Sequence, residues 1–229
     1  MGAAAEISEG LRLKPVRAMI ASRMKASLEA SAQLSYFADA DITTLLQARG
    51  EWKKAGHAIG IEDCVITALS RVFRDFPEFN AVFSEGLVSV LPVQDIAVAI
   101  STDNGLMTPI IRNVETLSLT EISGQRRDLV QRGRAGTLKV SEMKGGSFTI
   151  SNLGLTRVRH FTPILNHPQV ALLGLGRIDQ RYCPDGSGWT RSSIMGLSLT
   201  ADHQWLDGEP CGRFLEALCD ALENFTTAP

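Results

Sequence analysis

Apolar residues recur every three or four positions in four segments, and this spacing predicts four amphipathic helices. The segments are residues 15–31, 41–55, 61–75 and 209–224. Pro15 opens the first segment, where a helix tolerates proline, and Asp41 stands where its carboxylate would cap the second. A weaker repeat predicts a fifth helix over about 118–132.

Short apolar or alternating runs predict strands, and most of these runs lie in the later part of the chain. Helices gather in the first third, which differs from the strict alternation of a doubly wound sheet. We therefore expect an α+β fold with helices laid on a mixed sheet. The simplest division is one domain over residues 11–229, preceded by a flexible tail or linker remnant at residues 1–10. The predicted strands are 34–40, 87–91, 95–101, 107–111, 147–151, 169–176 and 193–201.

Composition narrows the class of protein without naming a chemistry. Apolar residues make up 44% of the 229 positions and charged residues 21%, which is typical of a folded domain. The net charge of −2 gives no electrostatic reason to expect nucleic acid or an acidic membrane as a partner. No apolar run is long enough to predict a membrane span. Four cysteines without a C-x-x-C pair predict reduced thiols, hence the cytoplasm or the mitochondrial matrix, and no metal site.

A polar loop between the last predicted strand and the last predicted helix carries a candidate base. It reads Asp-His-Gln-Trp-Leu-Asp-Gly over residues 202–208. His203 lies where a strand delivers it to the edge of a sheet, and reactive groups are often placed on such loops. Asp207, four residues later, is close enough to orient an imidazole. The alternatives are that His203 is a surface residue and that Asp207 caps the helix.

The segment GGSFTISNLG at residues 145–154 predicts a strand that ends in a polar turn. The Ser151 hydroxyl could donate a hydrogen bond to a developing oxyanion. Alternatively, Ser151 and Asn152 stabilise the turn while Gly154 supplies a positive φ. Nothing matches the G-x-S-x-G nucleophile motif or a dinucleotide-binding glycine pattern. The other histidines lack metal-ligand spacing, and we expect them to be structural or exposed: His57, His160 and His167.

Several ordered blocks resemble the catalytic core of the E2 component, the dihydrolipoamide acyltransferase, of 2-oxo acid dehydrogenase complexes. The resemblance runs from about Leu13 to Asn224, nearly the whole chain. Ordered blocks at family-like spacing are more specific than any single motif. The blocks are VRAMIASRMKAS (16–27), FNAVF (79–83), DIAVAISTDNGLMTPII (95–111), GGSFTISNLG (145–154), HFTPILNHPQVALLGLG (160–176) and ADHQWLDG (201–208).

This resemblance implies a fold like that of chloramphenicol acetyltransferase, assembled as a homotrimer with active sites at subunit interfaces. It makes His203 the catalytic base, sets Asp207 at the acidic or amide position four residues later, and makes Ser151 the hydrogen-bond donor to the oxyanion. His203 of one chain would face Ser151 of the next. The implied substrates are coenzyme A and a dihydrolipoyl group carried on a separate domain, with acetyl as the expected acyl group. The implied partners are that lipoyl domain and the E1 and E3 components of the complex.

Three departures from the family pattern qualify this interpretation. Gln204 replaces the arginine of the DHR motif, so any ion pair of that arginine is lost. Residues 155–158 replace a hydrophobic-Gly segment, which would alter the wall of a substrate channel. Residues 224–229 lack the Leu-rich plug that joins trimers, so we expect a trimer rather than a large cage.

Two other functions remain open from the sequence. No D-K-A motif of a lipoyl hairpin precedes the core, and we expect the lipoyl domain to be carried elsewhere or to have been removed. The chain could instead be a non-catalytic core subunit that displays partner domains, or a stand-alone coenzyme A acyltransferase for a small molecule. Loss of the histidine would favour the non-catalytic subunit, but His203 is present.

Overall fold

The computed structural model describes residues 12–102, 105–184, 186 and 188–229. The four strongly predicted helices and the weaker fifth all form, with ends within about two residues of the predicted ones. In this part of the chain no helix has the length and apolarity needed to cross a membrane. The predicted tail at residues 1–10 lies outside the described residues. The helices are α1 (Pro15–Ala30), α2 (Thr43–Lys54), α3 (Ile61–Asp75), α4 (Leu119–Arg134) and α5 (Gly208–Glu223).

Six strands form one mixed sheet in the order β1-β10-β9-β8-β4-β7. Strands β4, β8 and β9 are parallel, and the other pairings are antiparallel. Two small ribbons, β2–β3 and β5–β6, stand beside it. The expected α+β architecture is therefore confirmed. The strands are β1 (Gln33–Asp41), β2 (Ala81–Ser84), β3 (Leu87–Val90), β4 (Ile96–Val98), β5 (Ile100–Thr102), β6 (Gly105–Met107), β7 (Ile110–Ile111), β8 (Phe148–Asn152), β9 (Ala171–Pro184) and β10 (Trp189–Asp202).

One face of the large sheet is apolar and packs against helices; we call it the helical face. Phe148 of β8 lies 5.3 Å, centroid to centroid, from Phe73 of α3. Phe214 of α5 stacks on Phe79 at 4.1 Å and contacts both other rings. Such aromatic pairs add to the stabilisation that burial already gives. This cluster joins α3 and α5 to the centre of the sheet.

The opposite face is hydroxyl-rich and is covered by the segment 153–168; we call it the polar face. Phe161 lies over Gly174 of β9, where an added Cβ would come within 2.7 Å of the ring. The Phe161 N–H donates to Ser198 Oγ at 3.2 Å. Helix α1 lies over this segment, because Ser27 Oγ donates to the Leu165 carbonyl at 2.7 Å. The polar face carries Thr149, Ser151, Ser198, Thr200 and Asp202.

Two predicted strands are each broken in the structure. The run predicted at 95–101 divides into β4 in the large sheet and β5 in a ribbon, because Ile100 turns away to pack beside α4 at Gly133. The run predicted at 107–111 divides into β6 and β7 around Pro109, which has no N–H to donate to a ladder.

The remaining differences from prediction concern the ends of β9 and β10, the presence of β2 and the start of α2. Strands β9 and β10 are longer than the predicted segments 169–176 and 193–201. Their outer halves pair through the backbone, although apolar and polar residues do not alternate there in the sequence. Strand β2 has no predicted counterpart; it pairs with β3 across a turn in which Glu85 and Gly86 adopt positive φ. Asp41 ends β1 rather than starting α2, and its carboxylate accepts the Thr43 N–H at 3.0 Å.

Candidate active site

The loop that carries His203 is fastened to the start of β1. Asp202, the last residue of β10, is almost fully buried, and its Oδ1 accepts the Ala32 N–H at 3.0 Å. The His203 N–H donates to the Ala32 carbonyl at 2.8 Å. Because both bonds join the loop to Ala32, the residue immediately before β1, the backbone of His203 has a defined position.

Gln204, at the position of the arginine in the DHR motif, is hydrogen-bonded to the residue before His203 and to the end of α1. Its Nε2 group donates to both carboxylate oxygens of Asp202 at 3.2 Å and to the Ala30 carbonyl at 3.0 Å. Gln204 thus supplies the buried carboxylate of Asp202 with hydrogen bonds from an uncharged donor. A buried polar group without such partners would cost free energy. Gln204 thus also connects the loop to the end of α1.

Asp207 stands at the N-cap of α5, but its side chain makes no capping hydrogen bond. The carboxylate instead points toward the imidazole, with Oδ1 3.6 Å from His203 Nδ1. This distance allows electrostatic attraction but is too long for a hydrogen bond. The His203 side chain is 45% exposed and that of Asp207 81% exposed. The imidazole Nε2 atom is the ring nitrogen that does not face Asp207.

Ser151 lies near the end of β8 on the polar face and is half-buried. The turn after it is stabilised by Asn152, whose Oδ1 accepts the Gly154 N–H at 2.7 Å. Gly154 does not have a positive φ, so that part of the turn prediction is wrong. A Cβ at Gly154 would lie 3.0 Å from the Gly176 carbonyl oxygen, and close approach to β9 is the reason for glycine. Asn152 therefore shapes the turn, and the Ser151 hydroxyl is not needed for it.

Within one chain, Ser151 and His203 are far apart. Ser151 pairs with Gly174, and Gly174 pairs with Ser198, which precedes His203 by five residues. Five residues along a strand and two strand spacings separate the two Cα atoms by roughly 19 Å. Side chains cannot bridge that gap. If both residues act on one carbonyl group, the site must combine His203 of one chain with Ser151 of another.

The other histidines are placed as expected. His160 is half-buried on the polar face, with Nε2 3.1 Å from Asp39 Oδ1 and its ring edge-on to Phe37. His57 is exposed after α2, and His167 precedes Pro168 in the segment over the polar face. Among the described residues no group of three or more His, Cys, Asp or Glu side chains is arranged to hold a metal ion.

Cysteine does not supply a nucleophile near this site. All four cysteines are free. Burial raises the pKa of the Cys211 thiol to about 11; Cys211 lies in the first turn of α5, beside Tyr36. Burial likewise raises the pKa of Cys64 and of Cys219 to about 12. Because thiolates are the reactive form, these three thiols are poor nucleophiles at neutral pH.

A group of basic side chains close to the C-terminal end of β8 was not identified from the sequence. Arg49 and Lys53 of α2 line a cavity. His57, which follows α2, and Arg126 of α4 line the same cavity. The spacing of Arg49 and Lys53, one helical turn apart, is visible in the sequence. Their proximity to Arg126 is not visible there, because it depends on where α2 and α4 lie in the folded chain.

Comparison with known proteins gives one consistent family. The family model described as 2-oxoacid dehydrogenases acyltransferase (catalytic domain) matches residues 5–228. The chain is 35% identical, over 94% of its length, to the dihydrolipoyllysine-residue acetyltransferase component of the mitochondrial pyruvate dehydrogenase complex of Schizosaccharomyces pombe. It is 32% identical, over 93% of its length, to the succinyltransferase component of the mitochondrial 2-oxoglutarate dehydrogenase complex of Saccharomyces cerevisiae. The matches cover 46% and 47% of those two relatives, so the chain spans about half their length.

Solved structures agree in fold. The structure of Azotobacter vinelandii dihydrolipoamide acetyltransferase superimposes with a TM-score of 0.90. That structure comes from work on the roles of a serine, a histidine and an asparagine in the catalytic mechanism. Its identity is 28%, and the match covers 95% of this chain and 92% of that one. Chloramphenicol acetyltransferase superimposes with a TM-score of 0.57 at 18% identity, covering 88% of this chain and 94% of that one. The expected likeness to the chloramphenicol acetyltransferase fold is therefore confirmed.

Proposed function

Because the chain belongs to the acyltransferase catalytic-domain family of the 2-oxoacid dehydrogenases, we propose that it transfers an acyl group between dihydrolipoyl groups and coenzyme A. Residues 11–229 form its catalytic domain. The active site lies between two copies, with His203 as base, Asp207 beside it, and Ser151 of the neighbouring copy as oxyanion donor. The observation that carries this arrangement is the separation of roughly 19 Å between Ser151 and His203 in one chain.

The spacing of these residues supports the assignment. In the Azotobacter vinelandii enzyme the serine precedes the histidine by 52 positions, and the asparagine follows it by four. Ser151, His203 and Asp207 have the same spacing. Asp207 replaces the asparagine, so the side chain beside the imidazole carries a negative charge here.

The proposed reaction follows from the two side chains. A free thiol is mostly protonated at neutral pH, and neutral His203 accepts its proton through Nε2 as the sulfur attacks the thioester carbonyl carbon. The carbonyl oxygen becomes an oxyanion, to which the Ser151 hydroxyl donates a hydrogen bond. When the intermediate collapses, the carbon–sulfur bond to the leaving thiol breaks and His203 returns the proton to that sulfur. Atoms and charge balance without an acyl-enzyme.

We propose a homotrimer, since a closed ring of three head-to-tail contacts gives every His203 a Ser151 partner. The exposed apolar side chains of α1 support an interface between copies. From the relatives we propose that the partners are a lipoyl domain and the E1 and E3 components. The proposed compartment is the cytoplasm or the mitochondrial matrix. Acetyl is the proposed acyl group, although the relatives include acetyl and succinyl enzymes.

The first test is acyl transfer between acetyl-CoA and free dihydrolipoamide. We expect His203→Ala to lower kcat by about 10²–10⁴-fold and Ser151→Ala by about 10²–10³-fold. Ser89→Ala, an exposed serine on β3, is the matched control and should retain the wild-type rate. Full activity of His203→Ala would refute the assignment of the base. A folded wild-type trimer that is inactive with acetyl-, succinyl- and isobutyryl-CoA would indicate a non-catalytic core subunit. Turnover only with an acceptor other than dihydrolipoamide would indicate a stand-alone acyltransferase.

Mixing two inactive variants tests whether the site is shared between chains. His203→Ala supplies an intact Ser151, and Ser151→Ala supplies an intact His203. After denaturation and refolding together in equal amounts, each mixed ring should contain one complete site. The whole preparation should then regain about a quarter of the wild-type sites, because about a quarter of the rings contain only one variant. Activity that stays at the level of the separate variants would place both residues in the same chain's site and contradict the proposal.

A further inference from the structure

Asn152, the residue after Ser151, is hydrogen-bonded through both polar atoms of its side-chain amide. Its Oδ1 accepts the Gly154 N–H at 2.7 Å, and its Nδ2 donates to Glu62 Oε1 at 3.1 Å. This orientation sets a donor against each acceptor, whereas a reversed amide would set an NH2 group against an N–H. Because successive side chains of a strand point to opposite faces, Asn152 fastens the end of β8 from the face opposite the Ser151 hydroxyl.

The end of β8 has less support from the sheet than its middle. The pairing of β8 with β4 ends at Ile150 and Val98. Beyond that point Ser151 and Asn152 pair with β9 and, among the described strands, with no other. A strand end that is paired on one edge opens more easily than a strand that is paired on both. The hydrogen bond from Asn152 to Glu62 therefore restrains a segment that the sheet holds on one side.

Glu62, the second residue of α3, is itself held in place. Its Oε2 accepts a hydrogen bond from Arg126 Nη1 at 3.0 Å, while its Oε1 accepts the hydrogen bond from Asn152. The Glu62 side chain is 18% exposed and that of Arg126 14% exposed. A carboxylate that is largely shielded from water and has a donor on each oxygen keeps one orientation. Glu62 therefore offers Asn152 an acceptor in a fixed position.

Arg126 of α4 is fixed in turn by the core. Its Nε and Nη2 atoms donate to the two carboxylate oxygens of Asp63, which is fully buried. Asp63 Oδ2 also accepts the Gly60 N–H at 2.6 Å. A Cβ at Gly60 would lie 2.6 Å from Arg126 Nη2, so the missing side chain makes room for the guanidinium. The contacts thus run without a break from Asp63, through Arg126 and Glu62, to the residue beside Ser151.

We propose that Glu62 and Arg126 are positioning residues for Ser151, an inference that rests on the proposed function. They hold the Asn152 amide and, with it, the end of β8, so that the Ser151 hydroxyl lies where the oxyanion forms. An oxyanion donor acts at about 2.7–3.1 Å, and a displacement of about 1 Å can lower a rate about 10²-fold. Ser151 acts on the transition state, because the thioester carbonyl has no full charge before the sulfur attacks. Loss of the contact should therefore lower kcat and leave KM unchanged.

Reversing the polarity of the contact between Asn152 and Glu62 tests the proposal. Glu62→Gln keeps an oxygen for Arg126 but turns an NH2 group toward Asn152 Nδ2, so two donors face each other. Asn152→Asp keeps the acceptor for Gly154 but sets two carboxylates against each other. Each variant should lower kcat for acyl transfer about tenfold, which corresponds to the loss of one hydrogen bond to a charged group. The double variant pairs the NH2 group with the introduced carboxylate, and its kcat should return to within about threefold of wild type.

A second comparison asks whether the effect passes through Ser151. In a Ser151→Ala background, Glu62→Gln should lower kcat no further, because the hydroxyl that it would misplace is already absent. A further tenfold loss in that background would show a general structural defect and overturn the proposal. Glu121→Ala is the matched control, since Glu121 also lies in the first turn of a helix but bonds Ser118 rather than β8. Its kcat should equal that of wild type.

Hydrogen exchange of the peptide that covers β8 separates this inference from the proposed function. Each single variant should speed amide exchange at the end of β8, and the double variant should restore the protection. If the wild-type protein transfers no acyl group but exchange follows this pattern, the positioning contacts stand and the reaction fails. If transfer proceeds but the single variants keep the wild-type kcat, or the double variant fails to recover it, the reaction stands and the positioning role fails.

Discussion

Helices α1 and α3 are nearly equal in length, at 16 and 15 residues, but they pack in opposite ways. Ten residues of α3 are buried, whereas Ser27 is the one buried residue of α1. Both segments show apolar residues at helical spacing in the sequence. The comparison teaches that such spacing predicts a helix without identifying the surface that its apolar face contacts.

The physical reason lies in what each helix faces. Phe73 of α3 packs against Phe148 and Phe214 within the core. On α1, the apolar residues Met19 and Leu28 remain 57% and 52% exposed. Helix α1 is held to its own chain by polar contacts, such as the hydrogen bond from Ser27 to Leu165. In the proposed trimer, a neighbouring copy covers the apolar side chains of α1.

The largest effect on stability is expected from a substitution in the aromatic cluster against which α3 packs. Phe214→Ala removes a fully buried ring that contacts four other aromatic rings, those of Phe73, Phe76, Phe79 and Phe148. The lost burial and the remaining cavity should lower the free energy of unfolding by about 3–5 kcal/mol. Denaturant unfolding measures this change. Leu155→Ala, at a fully exposed leucine, is the control and should change stability by no more than about 0.5 kcal/mol.

The N-terminus of α3 depends on a buried ion pair. Asp63 is fully buried, bonds Arg126, and accepts the Gly60 N–H at 2.6 Å. Asp63→Asn removes one of the two carboxylates that pair with the largely buried Arg126 guanidinium, and Glu62 remains. The substitution should cost about 3 kcal/mol, the lower end of the range for breaking a buried ion pair, since Glu62 still pairs with Arg126 and Asn keeps an acceptor for Gly60. Thermal unfolding tests this. Glu51→Gln, in an exposed pair, should cost at most about 1 kcal/mol; an equal cost would show that burial is not the cause.

For α1 we expect a change in assembly rather than in folding. Met19→Glu places a charge on the exposed apolar side of the helix and should weaken trimer association at least about tenfold, since a buried unpaired charge is costly. Sedimentation over a range of concentrations measures association, and circular dichroism checks folding. Ala18→Glu introduces the same charge on a different side of α1. Unchanged association of Met19→Glu would place the interface elsewhere.

The smallest effect concerns a half-buried ion pair between Arg132 of α4 and Glu142, outside the aromatic core cluster. Hydrogen bonds from Arg132 lower the pKa of Glu142 to about 2. Because the pKa is lowered on folding, the ionised group stabilises the protein above about pH 4.5, and this contribution is lost as the pH falls toward 2. The melting temperature of Glu142→Gln should therefore be slightly lower than that of wild type at pH 7, and the difference should shrink as the pH falls toward 2. A constant difference would contradict the assignment.

The helices were predicted well because their signal is local. The 3.6-residue period, the opening proline of α1 and the apolar face of α5 are all contained within one segment. Strands were predicted less accurately where pairing, rather than side-chain alternation, sets their ends. The outer parts of β9 and β10 and the division of β4 from β5 depend on partners distant in the sequence.

The sequence was enough to establish the α+β class and, through the resemblance, the family and the candidates Ser151, His203 and Asp207. These inferences depend on residue types and spacing along one chain. Folding in three dimensions was needed to show that Ser151 and His203 are too far apart to act within one chain, because sheet register determines that distance. It was also needed to bring Arg49 and Lys53 beside Arg126, since helices distant in sequence meet only when they pack on the same core.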